Sequence, residues 1–388
     1  MNAPVATHAL VSAPRDIEAS VVDSLSAFTA LRGEWNEMLD ASASASPFLT
    51  WEWLHTWWRH MRGSSRLRIM TVRADGELIA VAPFRAARGA AHLRCLDMLG
   101  TGSVGSDYLD VVVRPGSESE ALSALEDLVE ARNLTVRLTH LGPSAMAVPL
   151  AQRLAERGWT QTITAGGICP YIPLAGHTWD SYLATLGASH RANVRRRIRA
   201  LEQRFDVRFE QVVTHDQRVE ALDRLVAYHQ RRFDRQGTAF DTAVACAFHD
   251  ELTARALDGG WLRMYVLRVD DAPAAVMYGF LYGQTFYFYQ HGFDDQYQQH
   301  SIGLVLMAFS IRAAVDEGTD EFDLLWGTEA YKFLWARHTR ELRNIHLFPA
   351  NLAGRAHRHL LLARRRAGSI WSAIRVRQPE AVSRTHVA

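Results

Sequence analysis

The sequence predicts an α/β (mixed α+β) fold in two halves, each a central mixed sheet flanked by helices. Strand-like and helix-like stretches alternate along most of the chain. A pattern of strand, Asp-containing turn and strand occurs twice, as RIMTVRADGELIAVAPFRA from Arg68 and RMYVLRVDDAPAAVMYGFLYG from Arg263. A loop, a strand and a helix follow each copy. Between the copies, GGICPYIPLAG at Gly166 to Gly176 mixes glycines and prolines as a boundary does. At 388 residues the chain has room for two ordinary cores. The expected division is a leader over 1–20, halves over 21–168 and 169–350, and a basic tail over 351–388.

With 48% apolar residues and a formal charge of +1, the chain reads as soluble and globular, and its overall charge does not point to nucleic acid. Its basic charge is almost wholly arginine, Lys332 being the single lysine. Cys95, Cys169 and Cys246 are far apart and fit neither a metal site nor a C-x-x-C redox motif, so a reducing compartment, the cytoplasm, and no metal are expected. The first twenty residues lack a basic start followed by an apolar run, and no eighteen consecutive apolar residues occur, which argues against a signal peptide or a membrane span.

In the first half, Leu25, Phe28, Leu31, Trp35 and Leu39 have helical spacing. After Pro47, the segment FLTWEWLHTWWRHM crowds four tryptophans together, read as a helix packed on a sheet in preference to a ligand box. His55 and His60 within it have no metal-spaced partner. Strands follow at Leu67 to Val72, Leu78 to Ala86 and Tyr108 to Val113, with Asp75-Gly76 as the first turn. Gly100, Gly102 and Gly105 match neither a P-loop nor a dinucleotide fingerprint, and read as a tight link between strands that borders a cleft. Helices at Ser117 to Ala131 and Ala145 to Arg157 alternate with strands at Thr135 to Leu141 and Trp159 to Ala165.

The second half opens with a short helix at Trp179 to Leu186 and a basic one from His190. Arg191, Arg195 and Arg199 recur there at four-residue steps on one face. Three readings stay open for them: a solvated face, a site for an anionic substrate or cofactor phosphate, or a tRNA contact. Amphipathic helices at Val219 to Phe233 and Ala243 to Leu257 precede strands at Leu262 to Arg268, Ala274 to Tyr282 and Phe286 to Gln290. A polar loop, His291 to His300, then leads to a helix, Ile302 to Val315, that is apolar on nearly every face, with Ser301 placed to cap it and Gly318 to stop it. The strand FDLLW at Phe322 to Trp326 completes a crossover between parallel strands. Such a helix start offers free N–H groups and positive potential, which suits an anion. From Asn351 onward there are eight arginines against one acid, Glu380. That pattern reads as a basic tail, with peripheral contact to an anionic membrane as the alternative.

The spacing Gln298-x-x-Ser301-x-Gly303 resembles the pyrophosphate loop of the GNAT acyltransferases, Gln/Arg-x-x-Gly-x-Gly/Ala, with Ser301 in place of one glycine. The segment DEFDLLWGTEAYKFLWAR and the basic LGASHRANVRRRIRALEQRFDVRFE resemble the CelD-like branch of that family, associated with cellulose or exopolysaccharide biosynthesis. The resemblance runs from about Phe48 to Phe348 and extends to the Fem-type peptidyltransferases, which have two GNAT-like halves. It implies acetyl-CoA or another acyl-CoA as co-substrate, held at Gln298, Gln299, Ser301, Ile302, Gly303 and Leu304. It also implies a small-molecule amine as acceptor. His291, Asp323, Glu329 and Tyr331 are the candidates for proton transfer, with Tyr331 alternatively protonating the departing thiolate and Lys332 holding an acidic group of the substrate. Arg191, Arg195 and Arg199 are the candidates for substrate binding. Two other readings remain: a Fem-type transferase that takes aminoacyl-tRNA as donor, and a non-catalytic binding component with this fold.

Overall fold

The computed structural model describes residues 15–88, 94–102, 104–232 and 239–363, with only the backbone described at 88 and 232. In chain order the first half runs β1 (Ile17–Val22), α1 (Leu25–Ala30), α2 (Arg32–Ala41), α3 (Trp51–Met61), β2 (Arg66–Ala74), β3 (Glu77–Arg88), β4 (Arg94–Met98), β5 (Val112–Val113), α4 (Glu118–Arg132), β6 (Thr135–Leu141), α5 (Ala147–Glu156) and β7 (Thr160–Pro173). The second runs α6 (Trp179–Thr185), α7 (Ala188–Arg204), β8 (Val207–Gln211), α8 (His215–Arg232), α9 (Ala243–Asp258), β9 (Leu262–Val269), β10 (Ala272–Tyr282), β11 (Thr285–Phe293), α10 (Ile302–Asp316), β12 (Glu321–Asp323), α11 (Lys332–Trp335) and β13 (His338–Phe348).

Among the described residues, all these strands join one sheet in the order β1-β2-β3-β4-β6-β13-β7-β12-β11-β10-β9-β8, with β5 against β3. The order reads the same from both ends. In each half an antiparallel run of strands leads to a parallel pair, β4 with β6 and β11 with β12. Each parallel pair is then closed by the last strand of the other half, since β13 pairs with β6 and β7 with β12. The long antiparallel pairing of β7 with β13, from Tyr171↔His338 to Thr160↔Phe348, binds the halves together at the centre. The repeat seen in the sequence is therefore a repeat of topology, with the final strands exchanged.

Several local expectations change. β1 occupies the end of the expected leader, and residues 1–14 lie outside the described ones. The glycine-rich boundary is mostly inside β7, where Gly167, at φ +115°, leaves room for the Trp326 ring; a Cβ there would lie 2.0 Å from the indole nitrogen. The polar loop after β11 is shorter than expected, because β11 runs on to Phe293 and Asp295–His300 forms a 3-10 turn. FDLLW keeps only three strand residues, Glu321–Asp323. Of the expected tail, a helix covers 352–363, and the rest lies outside the described residues.

Helices cover both faces of the sheet. On one, α3 buries Trp51, Trp53, Trp57 and Trp58 among residues from both halves and packs on α9, so the tryptophans are core. Full burial of one large apolar side chain contributes roughly 1.5–3 kcal/mol, which makes this helix a main source of inter-half cohesion. On the other face, α10 lies between the sheet and α7, burying Ile302, Val305, Leu306 and Ile311. No described helix is long and apolar enough to cross a membrane, and no described group of His, Cys, Asp or Glu is arranged to hold a metal ion.

Candidate active site

Parallel strands β11 and β12 pair over only three positions, Thr285↔Glu321, Phe286↔Phe322 and Tyr287↔Asp323. Beyond Tyr287, β11 stays paired to β10 while β12 has ended, so no β12 residue pairs with its other edge there. Into this gap opens a cavity of about 760 Å³, lined along one side by Phe288 to Phe293 and along the other by Leu324, Leu325, Trp326 and the segment Glu329 to Trp335. Its volume is within the usual range for cofactor and ligand sites. Tyr228 and His229 of α8 cover it where Gly292 permits close approach, and His229 Nε2 lies 2.9 Å from the His291 carbonyl.

At one end the cavity meets the start of α10, where Gln298, Ser301, Ile302, Gly303 and Leu304 line it. Ser301 is the N-cap by position but sits in the left-handed region, φ +56°, and makes no side-chain cap bond. Leu304 and Val305 donate back to the Ser301 carbonyl, so Ile302 and Gly303 hold the helix-start N–H groups that have no intrahelical acceptor. No acid stands in the first turn of α10. The dipole and these amides therefore give positive potential without a competing carboxylate. Gly303 also makes room for Phe293, whose ring would lie 3.1 Å from a Cβ there.

At the other end Lys332 is 4% exposed. Its Nζ donates to the carbonyls of Trp326 at 2.7 Å and Leu325 at 3.2 Å, and pairs with Glu329 at 3.1 Å. Leu325 and Gly327 have positive φ, and the ammonium fixes this tight bend as the floor of the slot. His291 and Tyr331 face each other with ring centroids 5.6 Å apart.

Residues 188–333 match a family model described as an acetyltransferase (GNAT) domain. This segment is a GNAT domain. The match over this segment supports an acyltransferase. No curated protein matches the chain. Among solved structures, FemX is 12% identical with a TM-score of 0.59, over 84% of this chain and 96% of that one. The C-terminal domain of a protein from Agrobacterium fabrum, described as a lysylphosphatidylglycerol synthetase, is 12% identical with a TM-score of 0.56, over 88% of this chain and 96% of that one. A conserved protein of unknown function from Bacteroides thetaiotaomicron VPI-5482 is 13% identical with a TM-score of 0.55, over 85% and 99%. At such identities the likeness is one of fold.

The GNAT domain brings most of the residues singled out in the sequence to one cavity: His291, Gln298, Ser301, Ile302, Gly303, Leu304, Glu329, Tyr331 and Lys332. Others stand elsewhere. Asp323 is 1% exposed and lines a different cavity, on the sheet face turned away from α10, because side chains alternate along β12. It accepts from Tyr108 Oη at 2.6 Å, the Leu325 N–H at 2.7 Å and Arg340 at 3.2 Å. Burial raises its pKa to about 7 against the lowering effect of these donors. Gln299 contributes only its carbonyl, to Arg197 at 3.4 Å. Arg191, Arg195 and Arg199 do not line the cavity. Arg191 closes on the carbonyls of Ala184 and Leu186, Arg195 pairs with Asp180, and Arg199 is exposed. Tyr108, which ties the halves at Asp323, and Arg340, which reaches the same carboxylate from β13, went unmarked in the sequence because that partner is over two hundred residues away for the one and on another strand for the other.

Proposed function

We propose that the chain is an N-acyltransferase that moves an acyl group, acetyl in the first instance, from acyl-coenzyme A to an amine. The observation that carries this reading is the slot between β11 and β12, which starts at an acid-free helix N-terminus and runs along β11 past the end of β12. The residues present fit a coenzyme thioester: the amides at Ile302 and Gly303 would hold the diphosphate, and the slot along β11 past the end of β12 would take the pantetheine arm.

Direct attack by the amine forms a C–N bond and breaks the C–S bond, so a proton must leave the nitrogen and another must reach the sulfur. His291 and Tyr331, adjacent in the slot, serve as acceptor and donor of those protons. Lys332 acts as a fixed positive charge under the carbonyl, its three donors spent on Leu325, Trp326 and Glu329, with half-exposed Glu329 as the member that a substrate can displace. The resemblance to the CelD-like branch points the acceptor towards an amino sugar or amino acid used in surface or secreted polysaccharide, handled in the cytoplasm. An aminoacyl-tRNA donor is the second reading, motivated by the exposed arginines of α7, the helix that packs on α10.

Thermal stabilisation of the full chain by a panel of acyl-coenzymes A, with mass spectrometry of any copurified ligand, tests the proposal. Stabilisation by coenzyme thioesters with transfer to an amine supports it. Absence of any shift, together with RNA binding of steep salt dependence, favours the tRNA reading instead.

A further inference from the structure

A second cavity, of about 260 Å³, lies between the halves on the sheet face turned away from α10. Its walls come from both halves: the loop Ala43 to Ser46, Tyr108, Asp110 and the turn Gly142 to Ala145 from one, Thr285, Tyr287, Glu321, Asp323 and Arg340 from the other. Three carboxylates therefore face one guanidinium.

The hydrogen-bonding capacity left over decides what such a cavity takes. Asp110 is saturated, its two oxygens accepting from Ser44 and from the amides of Val111, Met146 and Ala147. Arg340 is forked onto Glu321, reaches Asp323 and lies 3.8 Å over the Tyr171 ring. Glu321 receives only that guanidinium, and Asp323 receives three donors where a carboxylate has about four acceptor sites. One further group is unmatched. Ser46 Oγ, on a residue 3% exposed in the cavity wall, has no hydrogen-bond partner among the described residues. An orphaned buried hydroxyl is costly unless something completes it.

We propose that this cavity is a binding site for a small primary amine, whose ammonium takes the remaining acceptor sites of Glu321 and Asp323 beside the Arg340 guanidinium and whose polar body lies towards Ser46. Unused acceptor sites on two neighbouring carboxylates favour a cationic donor, whose charge also favours the ionised form of Asp323. An anionic ligand would be repelled by these carboxylates, and a purely apolar one would leave the remaining acceptor sites of Glu321 and Asp323 unused. Asp323 also joins this cavity to the slot: its carboxylate holds the Leu325 N–H here, while the Leu325 carbonyl holds Lys332 there. The amine chemistry is common to a transferase acceptor and to an unreacted effector.

The test is calorimetric titration of the full chain, without acyl-coenzyme A, using glucosamine, ethanolamine and amino-acid amides, with glucose and ethanediol as neutral counterparts. At least one amine should bind and its neutral counterpart should not. Ser144→Trp, at an exposed position on the rim, should abolish that binding, and Glu321→Gln should weaken it by about tenfold. Ser46→Ala should weaken it by a few-fold without lowering Tm, since the hydroxyl has no internal partner to lose. If the bound amine is acylated when acyl-coenzyme A is added, and Ser144→Trp raises its KM, the ligand is the acceptor. If it binds and stays chemically unchanged, it is an effector. Binding that Ser144→Trp and Glu321→Gln leave intact, or no amine binding at all, overturns the proposal.

Discussion

The two halves share a topology and differ in what they do with it. Both cross from a strand through a helix to a parallel neighbour, β4 to α4 to β6 in one and β11 to α10 to β12 in the other. In the second half the link is short and α10 begins without an acid, beside an open slot. In the first, α4 starts with Glu118 and Glu120 in its first turn, and Arg15 bonds Glu120 at 2.7 Å. Its positive end is already neutralised. The long link before it folds back as packing: Val104 and Leu109 are buried, Trp53 donates to Ser106, and Asp107 accepts from the Trp326 N–H. One copy of the fold is thus filled by its own chain and supports the other, which stays open.

The largest effect should come from giving the second half the electrostatics of the first. Gly303→Glu places a carboxylate at the start of α10, and two like charges a few ångströms apart near a surface cost on the order of several kcal/mol. Coenzyme A affinity should fall by about a hundredfold or more, with far-UV circular dichroism unchanged. Glu118→Gln on α4 should leave that affinity as it was.

Next is the floor of the slot. Lys332→Met leaves two carbonyls and Glu329 without their cation, and removing one partner from a buried polar cluster costs about 3 kcal/mol. Denaturant unfolding should show that loss, and acyl transfer should fall with it. Lys332→Arg should not restore either, since a planar fork cannot replace a point donor in that bend.

Across the seam, Tyr108→Phe removes a hydrogen bond to a carboxylate, worth about 1.5–3 kcal/mol. The Asp323 carboxyl itself sets a pH trend. Its folded pKa is raised to about 7, so between the unfolded value and 7 the native state binds the extra proton. Its contribution to stability is full below about pH 4 and is lost as pH rises through 7. Asp323→Asn should therefore flatten the fall in Tm between pH 5 and 8, measured against the parent chain.

The smallest effect belongs to the exposed arginines. Arg195→Ala and Arg199→Ala should change stability by no more than about 0.5 kcal/mol, as exposed ion pairs and solvated charges do. A large loss of transfer activity in either would revive the stripe as a substrate contact.

What could be read from the sequence followed from how local each signal is. The helix start after Gln298, the strand before it and the Gly–Glu–Tyr–Lys segment are consecutive, so their meeting in one slot was legible in their order. Tryptophan-rich α3 was legible as core because its spacing is helical. Asp323 was misplaced since its side of β12 depends on strand alternation in a three-residue strand that the pattern FDLLW made look longer. The exchange of β7 and β13 was not legible, because which strand closes a sheet is settled by long-range pairing. Gly167 looked like a linker glycine because the ring that requires it, Trp326, is far away in the chain.

The stoichiometry of coenzyme A binding to the full chain, by calorimetry, tests most directly whether a repeated fold carries a single open site. The account predicts one molecule per chain, with the binding lost in Gly303→Glu. Two per chain, or one that survives Gly303→Glu unchanged, would contradict it.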